Sequence, residues 1–211
     1  LVAGCASVQT TIKSITSPYK RAEADKAAFV TNDTAAAAKG YAEAARDGDS
    51  LSQFRLAHLY LLGRGVEKSD PEALRWMTAS AEGGYEGAQQ VLATWYFRGT
   101  HGLQQDPATG LAWMHKAAAQ GSPDAMYALG VCYANGKGTE RDVEQALRWF
   151  HEAKNKGMPV PDEMLDPVTY THAVPAPAPK PPPPPSFSVI SRPVEEKQPV
   201  TAKSKPTAIQ A

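Results

Sequence analysis

The stretch YALGVCYANGKG, residues 127–138, recurs as FRLAHLYLLGRG at 54–65 and, with one residue added, as QVLATWYFRGTHG at 90–102. The spacing continues beyond each copy. Trp76, Trp113 and Trp149 follow at intervals of 36 or 37 residues, with Leu74, Leu111 and Leu147 two positions before them and Gly84, Gly121 and Gly157 eight positions after. Self-similarity at this period signals helical hairpins stacked side by side, because one hairpin alone cannot bury its apolar face. Residues 48–157 are therefore predicted to hold three repeats in an all-α fold.

Within each repeat the first helix carries small or apolar side chains at a spacing of four, one and three. They are Ser52, Leu56, Ala57 and Tyr60; Ala88, Leu92, Ala93 and Tyr96; and Ala125, Leu129, Gly130 and Tyr133. That spacing puts each set on one helical stripe. The second helix repeats the device with Ala73, Trp76 and Met77; Gly110, Trp113 and Met114; and Ala146, Trp149 and Phe150. Between the helices stand Gly63-Arg64-Gly65, Gly99 with Gly102, and Gly136-Lys137-Gly138, where glycine suits the left-handed end of a helix. Asp70, Asp106 and Asp142 are expected at the N-caps of the second helices, with Pro71 and Pro107 next to the first two.

The order LG-x-x-Y, G-x-G, D-P-x-x-A-x-x-W and A-A-x-x-G resembles Sel1-like repeats, relatives of the tetratricopeptide repeat with a slightly longer loop. The resemblance covers about 110 of the 211 residues. His101-Gly102 lengthens the loop of the second repeat, Ala57 and Ala93 stand where glycine is usual, and Val143 replaces proline. The resemblance implies a right-handed α-solenoid of antiparallel helix pairs whose first helices line a concave face. It also implies an adaptor that binds a protein or peptide partner there. Counting from the leucine of each repeat, the implied contacts are Phe54, Arg55 and His58; Gln90, Thr94 and Arg98; and Tyr127, Val131 and Asn135. Arg55 and Arg98 would pair a carboxylate, and Phe54 and Tyr127 would serve as apolar anchors.

Composition narrows the alternatives. Lys and Arg together balance Asp and Glu at 22 each, which argues against nucleic acid as a partner. Gly136-Lys137-Gly138 lacks the spacing of a phosphate loop and follows a helix. His115 and His151 occupy the same position in successive repeats, but no third ligand recurs beside them, so no metal or other cofactor is expected and both are read as exposed helix positions. His58, His101 and His172 have no acid or thiol at ligand spacing. No nucleophile has a neighbouring base in sequence, so no catalytic residue is assigned. Cys132 lies between Leu129 and Tyr133 and is expected as a buried thiol.

The flanks differ from the repeats. Leu1-Val2-Ala3-Gly4-Cys5 resembles the lipobox of bacterial lipoproteins, which implies lipidation at Cys5 and a membrane anchor in place of a span. With Ala6 after the cysteine, the resemblance implies the outer membrane, facing the periplasm, if the source is Gram-negative. Residues 1–17 are expected as lipobox and polar tether, with Ser17-Pro18 starting a helix, and residues 18–47 as a degenerate pair of N-terminal capping helices. Residues 158–174 are expected as a C-terminal cap and linker, in which residues 162–165 form a short turn over the open end of the solenoid. Of 18 prolines 14 follow residue 158. Residues 175–185 are expected as a polyproline spacer reaching about 34 Å, and residues 186–211 as a disordered tail. The whole suggests a lipid-anchored scaffold of the cell envelope. The alternative is a protein or enzyme that binds cell-wall fragments.

Overall fold

The computed structural model describes residues 2–166, with side chains at Lys13 and from Thr16 onward. The polyproline spacer, the tail and the end of the linker, as well as the Cys5 side chain, lie outside the described residues. The described chain is all helical: α1 Val2–Phe29, α2 Thr34–Arg46, α3 Ser50–Leu62, α4 Asp70–Glu82, α5 Glu86–Arg98, α6 Pro107–Ala119, α7 Pro123–Asn135 and α8 Val143–Asn155, then a 3-10 turn at Asp162–Met164. Consecutive helices pack as antiparallel hairpins, α1 with α2, α3 with α4, α5 with α6 and α7 with α8, and each hairpin stacks on the next. Among the described residues no helix is long and apolar enough to cross a membrane.

Helices α2 to α8 are each 13 residues long. Most begin at an Asp or Ser whose side chain accepts from the third backbone N–H, as Asp106 does from Thr109 and Asp142 from Gln145. Each first helix ends at a left-handed glycine, Gly63, Gly99 or Gly136. One predicted cap is displaced. Ser69, not Asp70, caps α4 by accepting from Glu72 N–H at 3.3 Å, and Asp70 is the first helical residue.

The N-terminal prediction is also corrected. Helix α1 does not start at Ser17-Pro18 but runs through Pro18 from Val2, so the segment read as a polar tether is helical. Proline removes one helical N–H, and here its ring is exposed. Ser17 is buried and donates to the Ala44 carbonyl near the end of α2 at 3.4 Å, so its hydroxyl joins two helices and caps neither. Lys20 to Asp47 and Arg21 to Asp49, both at 2.5 Å, and Arg55 to Asp25 then tie α1 to the start of the first repeat.

The predicted stripes are the core. Ser52, Leu56 and Ala57, Ala88, Leu92 and Ala93, and Ala125, Leu129 and Gly130 are all buried, as are Met77, Met114 and Phe150 opposite them. The three recurring tryptophans are only half-buried. A size exchange runs through the hairpins: Ala57 and Ala93 stand in the repeats that carry Met77 and Met114, while Gly130 faces Phe150. A Cβ on Gly130 would lie 2.5 Å from the Phe150 ring. Glycine there is the complement of the larger ring.

Two connections between repeats have no counterpart in the sequence reading. Gln53 and Gln89, both buried, donate to the carbonyls of Ala45 and Ala81 at 3.1 Å, adding a partner to buried carbonyls in the last turns of the preceding helices. The loops also land on their neighbours. A Cβ on Gly65 would run into the Thr34 carbonyl at the start of α2, and one on Gly138 into the Pro107 carbonyl at the start of α6. The longer loop of the second repeat reaches the corresponding place, the start of α4, with a side chain: His101 Nδ1 lies 3.3 Å from Asp70 Oδ2, and its ring sits 4.3 Å from Trp95. Three loops of two lengths thus meet the preceding hairpin at one junction.

Candidate functional site

The first helices α3, α5 and α7 use the position two before each leucine in one way. Phe54 packs its ring 4.9 Å from Tyr85, the N-cap of α5. Gln90 donates to Ser122 Oγ, the N-cap of α7, at 2.9 Å. Tyr127 donates its hydroxyl to Met164 Sδ at 3.5 Å. Each side chain therefore reaches the entry of whatever follows its repeat, and the 3-10 turn stands where a fourth repeat would begin. Met164 and Leu165 pack on the core of the last hairpin, Val160 is buried, and Lys154 holds Asp162 at 2.8 Å. Phe54, Gln90 and Tyr127 are thus stacking residues before they can be ligand contacts. Arg55 is engaged too. It pairs with Asp25, meets the Tyr41 hydroxyl at 3.2 Å and lies over the Phe29 and Tyr41 rings.

What stacking leaves open is the stripe two and six positions after each leucine. It holds His58 and Leu62, Thr94 and Arg98, and Val131 and Asn135. Leu62 is 61% exposed and Val131 36%, and Arg98 and Asn135 are exposed. Thr94 and Asn135 return hydrogen bonds to their own helices, at Gln90 and Val131 carbonyls. His58 is half-buried against Phe54, and burial holds its pKa below the ordinary histidine value. Between α5 and α7 the face opens into a cleft of about 400 Å³, lined by Thr94, Trp95, Met114 and Asp124 among others. Leu62 was absent from the sequence-derived set. Its offset from Leu56 equals that of Arg98 from Leu92 and Asn135 from Leu129, and that register was the available signal.

The histidines separate. His151 is exposed. His115 is not the exposed position expected of it: its Nε2 lies 3.1 Å from the Tyr133 hydroxyl and its ring 5.5 Å from Trp149, and burial lowers its pKa. It joins the second repeat to the third. Cys132 is buried and free, and desolvation raises its thiol pKa. Among the described residues no three His, Cys, Asp or Glu side chains converge as a metal site.

Comparison with known proteins agrees with this architecture. Chitin synthase regulatory factor 3 of Schizosaccharomyces pombe is 31% identical over 128 residues, 60% of this chain and 14% of that protein. An exopolysaccharide production negative regulator of Rhizobium leguminosarum bv. viciae is 27% identical over 139 residues, 58% of this chain and 51% of its own length. The chain thus spans about half or less of these relatives. Among solved structures, a Sel1 repeat protein from Oxalobacter formigenes matches with a TM-score of 0.56 and 35% identity, over 60% of this chain and 95% of that one. A protective antigen of uropathogenic Escherichia coli strains displaying an SLR fold matches with a TM-score of 0.62 and 28% identity, over 67% of this chain and 31% of that one. The Sel1 repeat profile matches residues 50–85, 87–122 and 123–158, half of the sequence and the three hairpins described above, and the chain belongs to the Sel1 repeat family.

Proposed function

We propose that the chain is an adaptor of the cell envelope that binds a protein or peptide partner along the open stripe of α3, α5 and α7. The observation that supports this reading is the division of labour on those helices. Positions that stacking consumes stand beside positions that it leaves open, and the one six after each leucine is exposed in all three repeats. The exposed set combines apolar Leu62 and Val131 with cationic Arg98 and the cleft between α5 and α7, a mixture suited to an extended peptide. Regulators among the relatives are consistent with a protein that acts by holding others. On this reading Cys5 carries lipid, and the anchor keeps the repeats at a membrane, the outer membrane facing the periplasm in a Gram-negative source.

The test places a photo-crosslinking residue at Val131 in the full chain, in its own cells, and identifies adducts by mass spectrometry. A discrete protein adduct that disappears with Arg98→Glu is expected. No adduct at Val131, or one indifferent to Arg98→Glu, overturns the reading of the stripe. Cys5→Ala is expected to move the protein from the membrane to the soluble fraction.

A further inference from the structure

At the junction of α1, α2 and α3 lies a cavity of about 290 Å³ that neither the repeat pattern nor the open stripe accounts for. Phe29, Ala37 and Leu59 form its apolar walls, and Tyr41, Arg55, His58 and Arg64 its polar ones. No carboxylate lines it. Asp25, which does not line it, is already held by Arg55 and by the Tyr41 hydroxyl at 2.7 Å. Arg55 uses only Nη1 in these bonds, and its plane is fixed between the Phe29 and Tyr41 rings at 5.6 and 5.5 Å. The Arg64 side chain has no partner among the described residues, although its loop is pinned by the contact of Gly65 with Thr34.

The other repeats carry different side chains at these registers. At the register of Leu59 the second repeat has Trp95, buried and stacked on His101, which pairs with Asp70. At the register of Arg64 the third repeat has Lys137, whose ammonium lies 4.7 Å from the centre of the Phe97 ring. At the first junction the volume stays open and the Arg64 side chain has no partner among the described residues. Phe29, 75% exposed although it forms a wall, is the apolar surface an occupant would cover.

We infer that this cavity binds a small organic carboxylate with a flat or branched apolar body. The body packs between Phe29 and Leu59, and the carboxylate meets the guanidinium groups of Arg64 and Arg55. A planar carboxylate suits two forked donors better than a halide or a neutral amide does. The site is separate from the open stripe beyond His58, and it holds whether or not a protein partner docks there.

The experiment titrates the full chain with N-acetyl-L-phenylalanine, followed by calorimetry and by protein NMR shifts. N-acetyl-L-phenylalaninamide serves as the neutral control, and inorganic phosphate as the competing anion. Saturable binding is expected, weakened about tenfold or more by the amide substitution or by Arg64→Gln, and abolished by Leu59→Trp, which fills the volume with the side chain that the second repeat carries at this register. Circular dichroism and melting confirm that both variants fold. Absence of saturation by ~10 mM, equal affinity for the amide, displacement by equimolar phosphate, or unchanged binding by a folded Leu59→Trp protein would each overturn the assignment. Crosslinking at Val131 has an independent outcome, so the two readings fail separately.

Discussion

A single pair of side chains shows how the repeats trade volume. Gly130 leaves room for Phe150, whereas alanine at the same register accompanies methionine in the first two repeats. An added methyl in a filled interior costs about 1–3 kcal/mol, because neighbours must leave their rotamers. Gly130→Ala is therefore expected to lower stability by about that amount in urea unfolding. Phe150→Met in the same chain should restore most of the loss, since it recreates the pairing of the second repeat. If the double variant is no more stable than Gly130→Ala alone, the exchange of volume is not the cause. Burial is likewise what sets His58 and His115 apart from His151, a distinction that their spacing in the sequence does not carry.

At the scale of the element, the loops after the first helices make a sharper test. Gly65 and Gly138 have φ of 70° and 80° and lie against backbone carbonyls, whereas Gly102 has φ of 84° and open space around it. Alanine at Gly102 meets only the conformational penalty, about 1 kcal/mol. At Gly65 or Gly138 it must also displace the start of a helix, and a loss above about 2 kcal/mol is expected in thermal unfolding. Equal losses at all three would mean that the loops do not bear on their neighbours. The helices themselves were legible because a stripe of period 3.6 records burial directly, and the solenoid followed from the repeat. The junctions were not. Phe54, Gln90 and Tyr127 occupy the register expected of a contact face, and only the arrival of Tyr85, Ser122 and Met164 from the next segment shows that they serve stacking. The length of α1 escaped for a related reason: Ser17 followed by proline has the form of a cap, and its partner at Ala44 is 27 residues away. Asp70 was misplaced by one residue because Ser69 offers an equivalent oxygen beside it.

For the molecule as a whole, stability in a stack is a sum of hairpins and of the contacts between them, so the ends decide where unfolding begins. The first repeat is closed by α1 and α2, and the last by the segment from Val160 to Leu165. A chain ending at Gly157 should lose hydrogen-exchange protection first in α7 and α8, ahead of α3 and α4; uniform loss across the hairpins would mean that the segment adds nothing local. The same segment has a consequence for assembly. A repeat array is self-complementary along its axis, and a head-to-tail contact between identical units does not close on itself. Tyr127 is taken by the chain's own Met164, so end-to-end addition of a second molecule at α7 is expected only from the chain ending at Gly157, as a concentration-dependent rise in mass on size-exclusion chromatography.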